Sequence, residues 1–162
     1  MSGPLSKVFK TALSALHYSG ASRVVEPYTG GRGVIFMLHN VHPDPPRKFE
    51  PNRILKVTPD FLEGVICQVR DEGFETLPLD AVPARMADKA NKRPFACFTF
   101  DDGYRDNRDY AYPVLKRHNV PFTVYVPSEF PGGNADLWWL TLEEVIRQTE
   151  EISVQMHGDM QR

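Results

Sequence analysis

Residues 93–100, RPFACFTF, place the strongest limit on the fold of this chain. Apolar side chains occupy both faces of this extended segment, at Phe95, Cys97, Phe98 and Phe100. A strand that is apolar on both faces has to be covered on both sides, as in the parallel sheets of α/β proteins. The chain has 162 residues, which is enough to surround such a strand with the core of one ordinary domain.

Strand and helix patterns alternate along the rest of the chain. GVIFML at 33–38 predicts a buried strand, and VPFTVYV at 120–126 predicts another. Between them, 58–73 predicts a helix with Thr58 as N-cap and Gly73 at its end. Its apolar stripe is predicted at Phe61, Leu62, Val65, Ile66 and Val69. A later helix is predicted with Thr141 as its cap. This alternation predicts an α/β fold with a parallel sheet or barrel.

Residues 1–30 predict an amphipathic helix and a linker, separate from a folded domain at 31–162. Two interpretations of the helix stay open: it docks on the domain, or it anchors the chain at a membrane surface. No apolar run is long enough to span a bilayer. We read no signal peptide, so a cytoplasmic location is expected. The net charge of −2 gives no basic footprint for nucleic-acid binding.

Two adjacent aspartates, Asp101 and Asp102, follow the doubly apolar strand, and Gly103 comes next. Chemistry in α/β folds collects where strands end. If the glycine turns the backbone so that both carboxylates converge, one can bind a divalent cation while the other acts as a general base. The alternative is that an aspartate caps the following helix. The combination with Tyr104 and Asn107 favours the functional interpretation.

The segment FTFDDGYRDNRDYAYPVLKRHNVPFTVYV resembles the first catalytic motif of the polysaccharide deacetylases, the NodB-homology group of carbohydrate esterases. GVIFMLHNV resembles their first strand, and LWWLTLEEVIR resembles an insertion found in some members. The resemblance implies a distorted (β/α) barrel and the metal-dependent hydrolysis of acetyl groups from sugars such as chito-oligosaccharides. Such an enzyme is a hydrolase of carbon–nitrogen bonds other than peptide bonds. By this likeness Asp101 is the general base and Asp102 binds the metal, most simply zinc.

The chain departs from the family at the other metal ligands, which the family draws from two later histidines four residues apart. No two histidines have that spacing among His17, His39, His42, His118 and His157. A catalytic zinc needs about three protein ligands, so doubtful occupancy and feeble hydrolysis are expected. The resemblance therefore predicts a partial domain at 31–162, with a barrel incomplete on its C-terminal side. An uncovered sheet edge in such a barrel predicts self-association.

Four further residues are candidates for the pocket. His39 follows the first predicted strand, and Tyr104 follows the acid pair. Trp138 and Trp139 have side chains that stack on sugar rings, although core packing or the anchoring of a loop explains each of them at least as well. The alternative function is a catalytically impaired remnant that binds a carbohydrate or a protein. A Mg²⁺-dependent phosphotransferase is a weaker alternative, because no phosphate-binding loop accompanies the pair.

Overall fold

The computed structural model describes residues 4–21, 24, 31–45, 47, 49–151, 153–156 and 159–161. The elements in chain order are α1 (Pro4–Tyr18), β1 (Gly33–Leu38), β2 (Asn40–Val41), β3 (Lys56–Val57), α2 (Pro59–Asp71), β4 (Glu75–Thr76), α3 (Val82–Ala87), β5 (Phe95–Phe100), α4 (Tyr112–Arg117), β6 (Phe122–Val124), α5 (Trp138–Gln148), β7 (Val154–Met156) and β8 (Asp159–Gln161). Single 3₁₀ turns span Pro51–Leu55 and Leu79–Ala81, and a π-helical turn spans Asn107–Ala111.

The strand β5 is the centre of a parallel sheet. Strand β1 pairs with it along its whole length, from Gly33 opposite Phe95 to Leu38 opposite Phe100. On the other edge, β4 pairs with the first residues of β5 and β6 with the last. Within the described part of the chain this sheet has four strands and does not close on itself. The predicted α/β class with a parallel sheet is confirmed.

All six residues of β5 are buried, as its two apolar faces predict. Phe98 and Phe100 are among the largest fully buried side chains, together with Leu62 and Ile66 of α2 and Leu115 of α4. The ring of Phe98 also stacks on Phe36 of β1, with 5.1 Å between ring centroids. The core therefore lies between β5 and the helices α2 and α4.

The prediction that β1 is a buried strand is wrong. Its side chains alternate, so Val34, Phe36 and Leu38 are partly buried while Ile35 is 49% and Met37 66% exposed. A lone apolar run cannot distinguish a strand covered on both faces from one covered on a single face. The helices pack on one face of β1, and the described residues leave the Ile35 face open.

Helix α2 forms at the predicted place. The hydroxyl of Thr58 accepts a hydrogen bond from the Phe61 N–H at 3.1 Å, and Gly73 has a φ of 80° beyond the helix end. Leu62, Ile66 and Val69 are buried, as predicted for the apolar stripe. Phe61 was predicted to belong to that stripe, but it is 60% exposed. Phe61 lies in the first turn of α2, beyond the part of the helix that the core covers.

Helix α5 begins at Trp138, so the prediction of Thr141 as its cap is wrong. The helix is tied to the rest of the fold by Glu143, which is buried. The Glu143 carboxylate accepts hydrogen bonds from Asn52 Nδ2 at 3.3 Å and from Arg147 at 2.6 Å. Strand β7 pairs antiparallel with β8 and does not extend the parallel sheet.

Helix α1 lies within the N-terminal segment for which the sequence predicts a helix. Its large apolar side chains are exposed, with Val8, Phe9 and Leu13 each more than 60% accessible. The described residues therefore give no support to the interpretation that α1 docks on the domain. None of the described helices is long and apolar enough to cross a membrane.

Candidate active site

The acid pair lies directly beyond the C-terminal end of β5, at the edge where parallel strands present functional residues. The Asp101 N–H donates a hydrogen bond to the Leu38 carbonyl at 2.8 Å, which continues the pairing of β5 with β1. Both aspartates are partly exposed. Water therefore reaches this end of the sheet, which a hydrolytic site requires.

His39 lies next to Asp101, at the end of the neighbouring strand. Since Leu38 is in register with Phe100, the next residues of the two strands emerge side by side. His39 Nε2 lies 3.7 Å from Asp101 Oδ2, and the two side chains are 20% and 29% exposed. That distance is too long for a hydrogen bond and suits an ion pair when the imidazole is protonated. The structure thus brings two of the predicted site residues together.

The backbone after β5 turns through two consecutive residues in the left-handed region. Asp102 has a φ of 68° and Gly103 a φ of 63°. The sequence predicts this role for the glycine alone. Aspartate is one of the few other residues that tolerates this conformation, at a cost of about 1 kcal/mol or more. The Asp102 carboxylate therefore leaves the strand in a direction that a regular extended backbone does not give.

Tyr104 connects the acid pair to helix α5. Its hydroxyl oxygen accepts a hydrogen bond from Trp139 Nε1 at 3.2 Å. Burial raises the pKa of Tyr104, the hydrogen bond from Trp139 opposes this, and the Asp102 carboxylate raises the pKa further through its charge and a hydrogen bond. The phenol therefore stays protonated at neutral pH beside the Asp102 carboxylate.

Trp138 has a different environment from Trp139. It is 61% exposed, and its ring meets that of Trp139 edge-on with 5.8 Å between centroids. The core-packing interpretation therefore does not hold for Trp138. An exposed indole beside the site keeps the prediction of sugar stacking open, whereas Trp139 is already engaged with Tyr104.

A cleft of about 270 Å³ adjoins the site on the side of β2 and β3. Tyr104 lines it, together with Asn40, Asp106 and Leu140 among others. Asp101, Asp102 and His39 are not among its lining residues. Tyr104 is thus the one predicted site residue that faces this cleft, and the acid pair lies beside the cleft and outside it.

Asp106 and Asn40 were not predicted to belong to the site. Asn40 Nδ2 donates a hydrogen bond to Asp106 Oδ2 at 2.9 Å, which joins the segment after β1 to the segment after the acid pair. Burial raises the pKa of Asp106, and the bond from Asn40 only partly opposes this. The sequence signal that could have found Asp106 is its place in DDGYRDN, where an acid occupies the turn before a helix.

Asn107 follows Asp106 and begins the π-helical turn. Asp106 Oδ1 and both polar side-chain atoms of Asn107 are buried, without a hydrogen-bond partner in the described part of the chain. Buried polar groups are paired in most proteins, and π-helical turns occur often at functional sites. Three buried polar atoms without a described partner, in the segment that follows the acid pair, are therefore unusual for a turn that has only a structural role.

The predicted metal site is incomplete in the described part of the chain. No group of three or more His, Cys, Asp or Glu side chains within it is arranged to hold a metal ion. The donors near the acid pair are Asp101, Asp102 and His39, and the structure joins only His39 and Asp101 by a contact.

Comparison with known proteins relates this α/β architecture and strand-end acid pair to one class. Residues 88–158 match the family model described as polysaccharide deacetylase. This segment contains β5, the acid pair, Tyr104 and both tryptophans. The resemblance to the polysaccharide deacetylases that the sequence predicts is confirmed over this segment.

Two relatives make the likeness more specific. A Bacillus subtilis (strain 168) protein named "Putative polysaccharide deacetylase YxkH" is 31% identical over 104 residues, which are 64% of this chain and 37% of that protein. The structure of the Streptococcus pyogenes deacetylase PplD in complex with acetate matches with a TM-score of 0.52 and 25% identity, over 69% of this chain and 51% of that one. The chain thus corresponds to about a third to a half of the length of these relatives.

Proposed function

We propose that this protein acts as a metal-dependent carbohydrate deacetylase, which hydrolyses acetyl groups from sugars of the chito-oligosaccharide kind. The observation that carries the proposal is Asp101 at the end of β5 with His39 at 3.7 Å. The family match over residues 88–158 supports the same reaction class.

In this proposal Asp101 takes a proton from the water that attacks the acetyl carbonyl. Its side chain is 29% exposed, so water reaches the carboxylate while neighbouring protein still orients it. His39 lies beside that carboxylate and places a cation there when the imidazole is protonated. A positioned base of this kind contributes roughly 10²–10⁴ in rate.

Tyr104 has a positioning role. Trp139 Nε1 donates to its oxygen, so the phenol proton is directed elsewhere, and Asp102 is the acceptor beside it. Because the pKa of Tyr104 is raised, the donor persists at neutral pH. In this proposal Trp139 and Tyr104 together fix the orientation of the Asp102 carboxylate, whose direction is first set by the left-handed backbone at Asp102.

The metal, expected to be zinc with Asp102 as one ligand, is part of the proposal. A catalytic zinc supplies a polarised carbonyl and a bound water, and it uses about three protein ligands. The described residues do not present three suitable donors in one group. The described residues alone therefore do not complete a catalytic zinc site.

The test is acetate release from acetylated chito-oligosaccharides, with and without added Zn²⁺. Asp101→Asn should lower kcat by at least about 100-fold with little change in KM, since a lost base affects the transition state. Asp109→Asn is the matched control, because Asp109 is an exposed aspartate of the same segment that pairs with Arg108. If Asp101→Asn retains the parent kcat, the assignment of the base is wrong.

A second candidate function is a carbohydrate- or protein-binding module that has lost catalysis. The absence of a three-donor group in the described part of the chain favours it. Elemental analysis of the purified protein distinguishes the two, because stoichiometric zinc supports the enzyme and metal-free protein supports the module. Calorimetric titration with the same oligosaccharides then shows whether binding occurs without hydrolysis.

Self-association through a sheet edge also stays a prediction. Among the described strands none pairs with the outer edge of β1, and an open edge is a template for another chain. Sedimentation velocity over a range of concentrations tests it, and a concentration-independent monomer would contradict it.

A further inference from the structure

Helix α1 separates its apolar and polar side chains onto opposite halves of its surface. At 3.6 residues per turn, the apolar residues between positions 8 and 16 fall within an arc of about 160°. They are Val8, Phe9, Ala12, Leu13, Ala15 and Leu16. The opposite half contains Lys7, Lys10, Thr11, Ser14 and His17.

The apolar half of α1 is accessible to solvent. Val8 is 67%, Phe9 63%, Leu13 65% and Leu16 45% exposed. Four large apolar side chains on one face of one helix form a contiguous patch, and such patches mark interaction surfaces in soluble proteins. The core of the domain does not use this face, because its buried cluster is drawn from β2, β5, the helices α2 and α4 and the segments that join them.

The charge of the N-terminal segment decides which partner suits this face. All 21 acidic residues of the chain lie beyond residue 25, whereas Lys7, Lys10 and Arg23 precede it. The segment is therefore cationic in a protein whose net charge is −2. Both lysines of α1 lie on its polar half, where they are exposed beside the apolar arc.

We propose that α1 binds the surface of a membrane that contains anionic lipids, with its helix axis in the plane of the interface. Its apolar half then enters the boundary between headgroups and acyl chains, while Lys7 and Lys10 remain at headgroup level. A cationic polar half with an apolar opposite half is the pattern of interfacial helices. The α1 helix of a second copy would cover the apolar half but would bring no anionic group to Lys7 and Lys10, because residues 1–25 contain no acidic residue.

This proposal does not depend on the deacetylase activity. It concerns a helix that contributes no residue to the candidate active site, and it assigns α1 the task of holding the domain at a surface. The remaining chain has an excess of acidic residues, so its net charge opposes binding to such a membrane. Binding should therefore require α1.

The experiment is co-sedimentation of the full chain with vesicles. One set contains equal parts of phosphatidylglycerol and phosphatidylcholine, and the other contains phosphatidylcholine alone. We expect binding to the mixed vesicles, weaker binding to the neutral ones, and a decrease with salt. Each lysine replaced should weaken binding to mixed vesicles about fivefold, so Lys7→Gln with Lys10→Gln should weaken it about 25-fold.

A matched pair of double variants tests the face itself. Phe9→Gln with Leu13→Gln should abolish binding to both kinds of vesicle, because it removes two exposed apolar side chains. Thr11→Gln with Ser14→Gln places the same residue type on the polar half and should leave binding unchanged. Both pairs should keep the parent melting temperature, since these four side chains are exposed, and circular dichroism checks that the helix persists.

Three results would overturn the proposal. The first is no binding to mixed vesicles at low salt, and the second is equal binding of all variants. The third is concentration-dependent self-association that Phe9→Gln with Leu13→Gln removes in the absence of lipid. That last result would show that the apolar half of α1 is a contact between two copies of the chain.

Discussion

The turn that carries the acid pair should be sensitive to a single methyl group at Gly103. Its φ of 63° lies in the left-handed region, which costs a residue with a Cβ about 1–2 kcal/mol. A Cβ built there would lie 3.1 Å from Val126 Cγ2, closer than ordinary van der Waals contact. Replacing glycine also restricts the unfolded chain, which stabilises by about 0.4–1 kcal/mol. We expect Gly103→Ala to destabilise by about 2 kcal/mol.

Two other glycines separate the contributions to this value. Gly73 has a φ of 80° with nothing within 4 Å of a built Cβ, so Gly73→Ala tests backbone strain alone and should destabilise by about 1 kcal/mol. Gly64 lies inside α2 with an equally open Cβ position and no positive φ. Gly64→Ala should therefore stabilise by about 0.5–1 kcal/mol.

The measurement is equilibrium unfolding in urea for the parent chain and the three variants. The free energies of unfolding are compared only after the slopes of the transitions have been shown to agree. The expected order of stability is Gly64→Ala above the parent, then Gly73→Ala, then Gly103→Ala. If Gly103→Ala is as stable as the parent, the turn after β5 does not need the left-handed backbone. If Gly103→Ala and Gly73→Ala lower the free energy of unfolding by the same amount, the approach of the new methyl group to Val126 carries no energetic cost.

Three further predictions concern the core, the buried acid and the bond to α5. Phe98→Ala should destabilise by about 3–5 kcal/mol because Phe98 is 1% exposed, whereas Phe61→Ala should have little effect because Phe61 is 60% exposed; thermal and urea unfolding measure both. Because burial raises the pKa of Asp106 in the folded state, its contribution to stability is present below the unfolded pKa and is lost as pH rises through the folded pKa. Asp106→Asn should remove that pH dependence from the unfolding free energy. Trp139→Phe keeps an aromatic ring but removes the donor to Tyr104, which should cost about 1 kcal/mol. Because that hydrogen bond holds the pKa of Tyr104 down, the variant should raise the pKa of the phenol; an unchanged or lower pKa in an ultraviolet titration would contradict the assignment.

Much of the fold follows from signals that act over a few residues. Thr58 and Gly73 delimit α2 because a cap and a left-handed residue satisfy helix ends locally. The burial of β5 follows from apolar side chains on both of its faces. The position of Asp101 and Asp102 at a strand end also required no knowledge of the rest of the chain.

The wrong predictions concern which faces are covered. Ile35, Met37 and Phe61 are apolar and exposed, and nothing in their own segments shows that no other element packs on them. Thr141 has the chemistry of a cap, but α5 starts at Trp138, where the chain meets Tyr104. Local preference for a cap is worth about 1 kcal/mol, so tertiary contacts can override it.

The sequence by itself determined an α/β chain with an acid pair at the end of its central strand and a family likeness in that segment. Only the tertiary structure decided what surrounds the pair. His39 lies beside Asp101 because β1 and β5 are in parallel register, and Trp139 of α5 meets Tyr104 although 35 residues separate them in the chain. The physical reason is that propensities and caps act between neighbours in the chain, whereas a site is assembled from residues that only the packing of distant elements brings together.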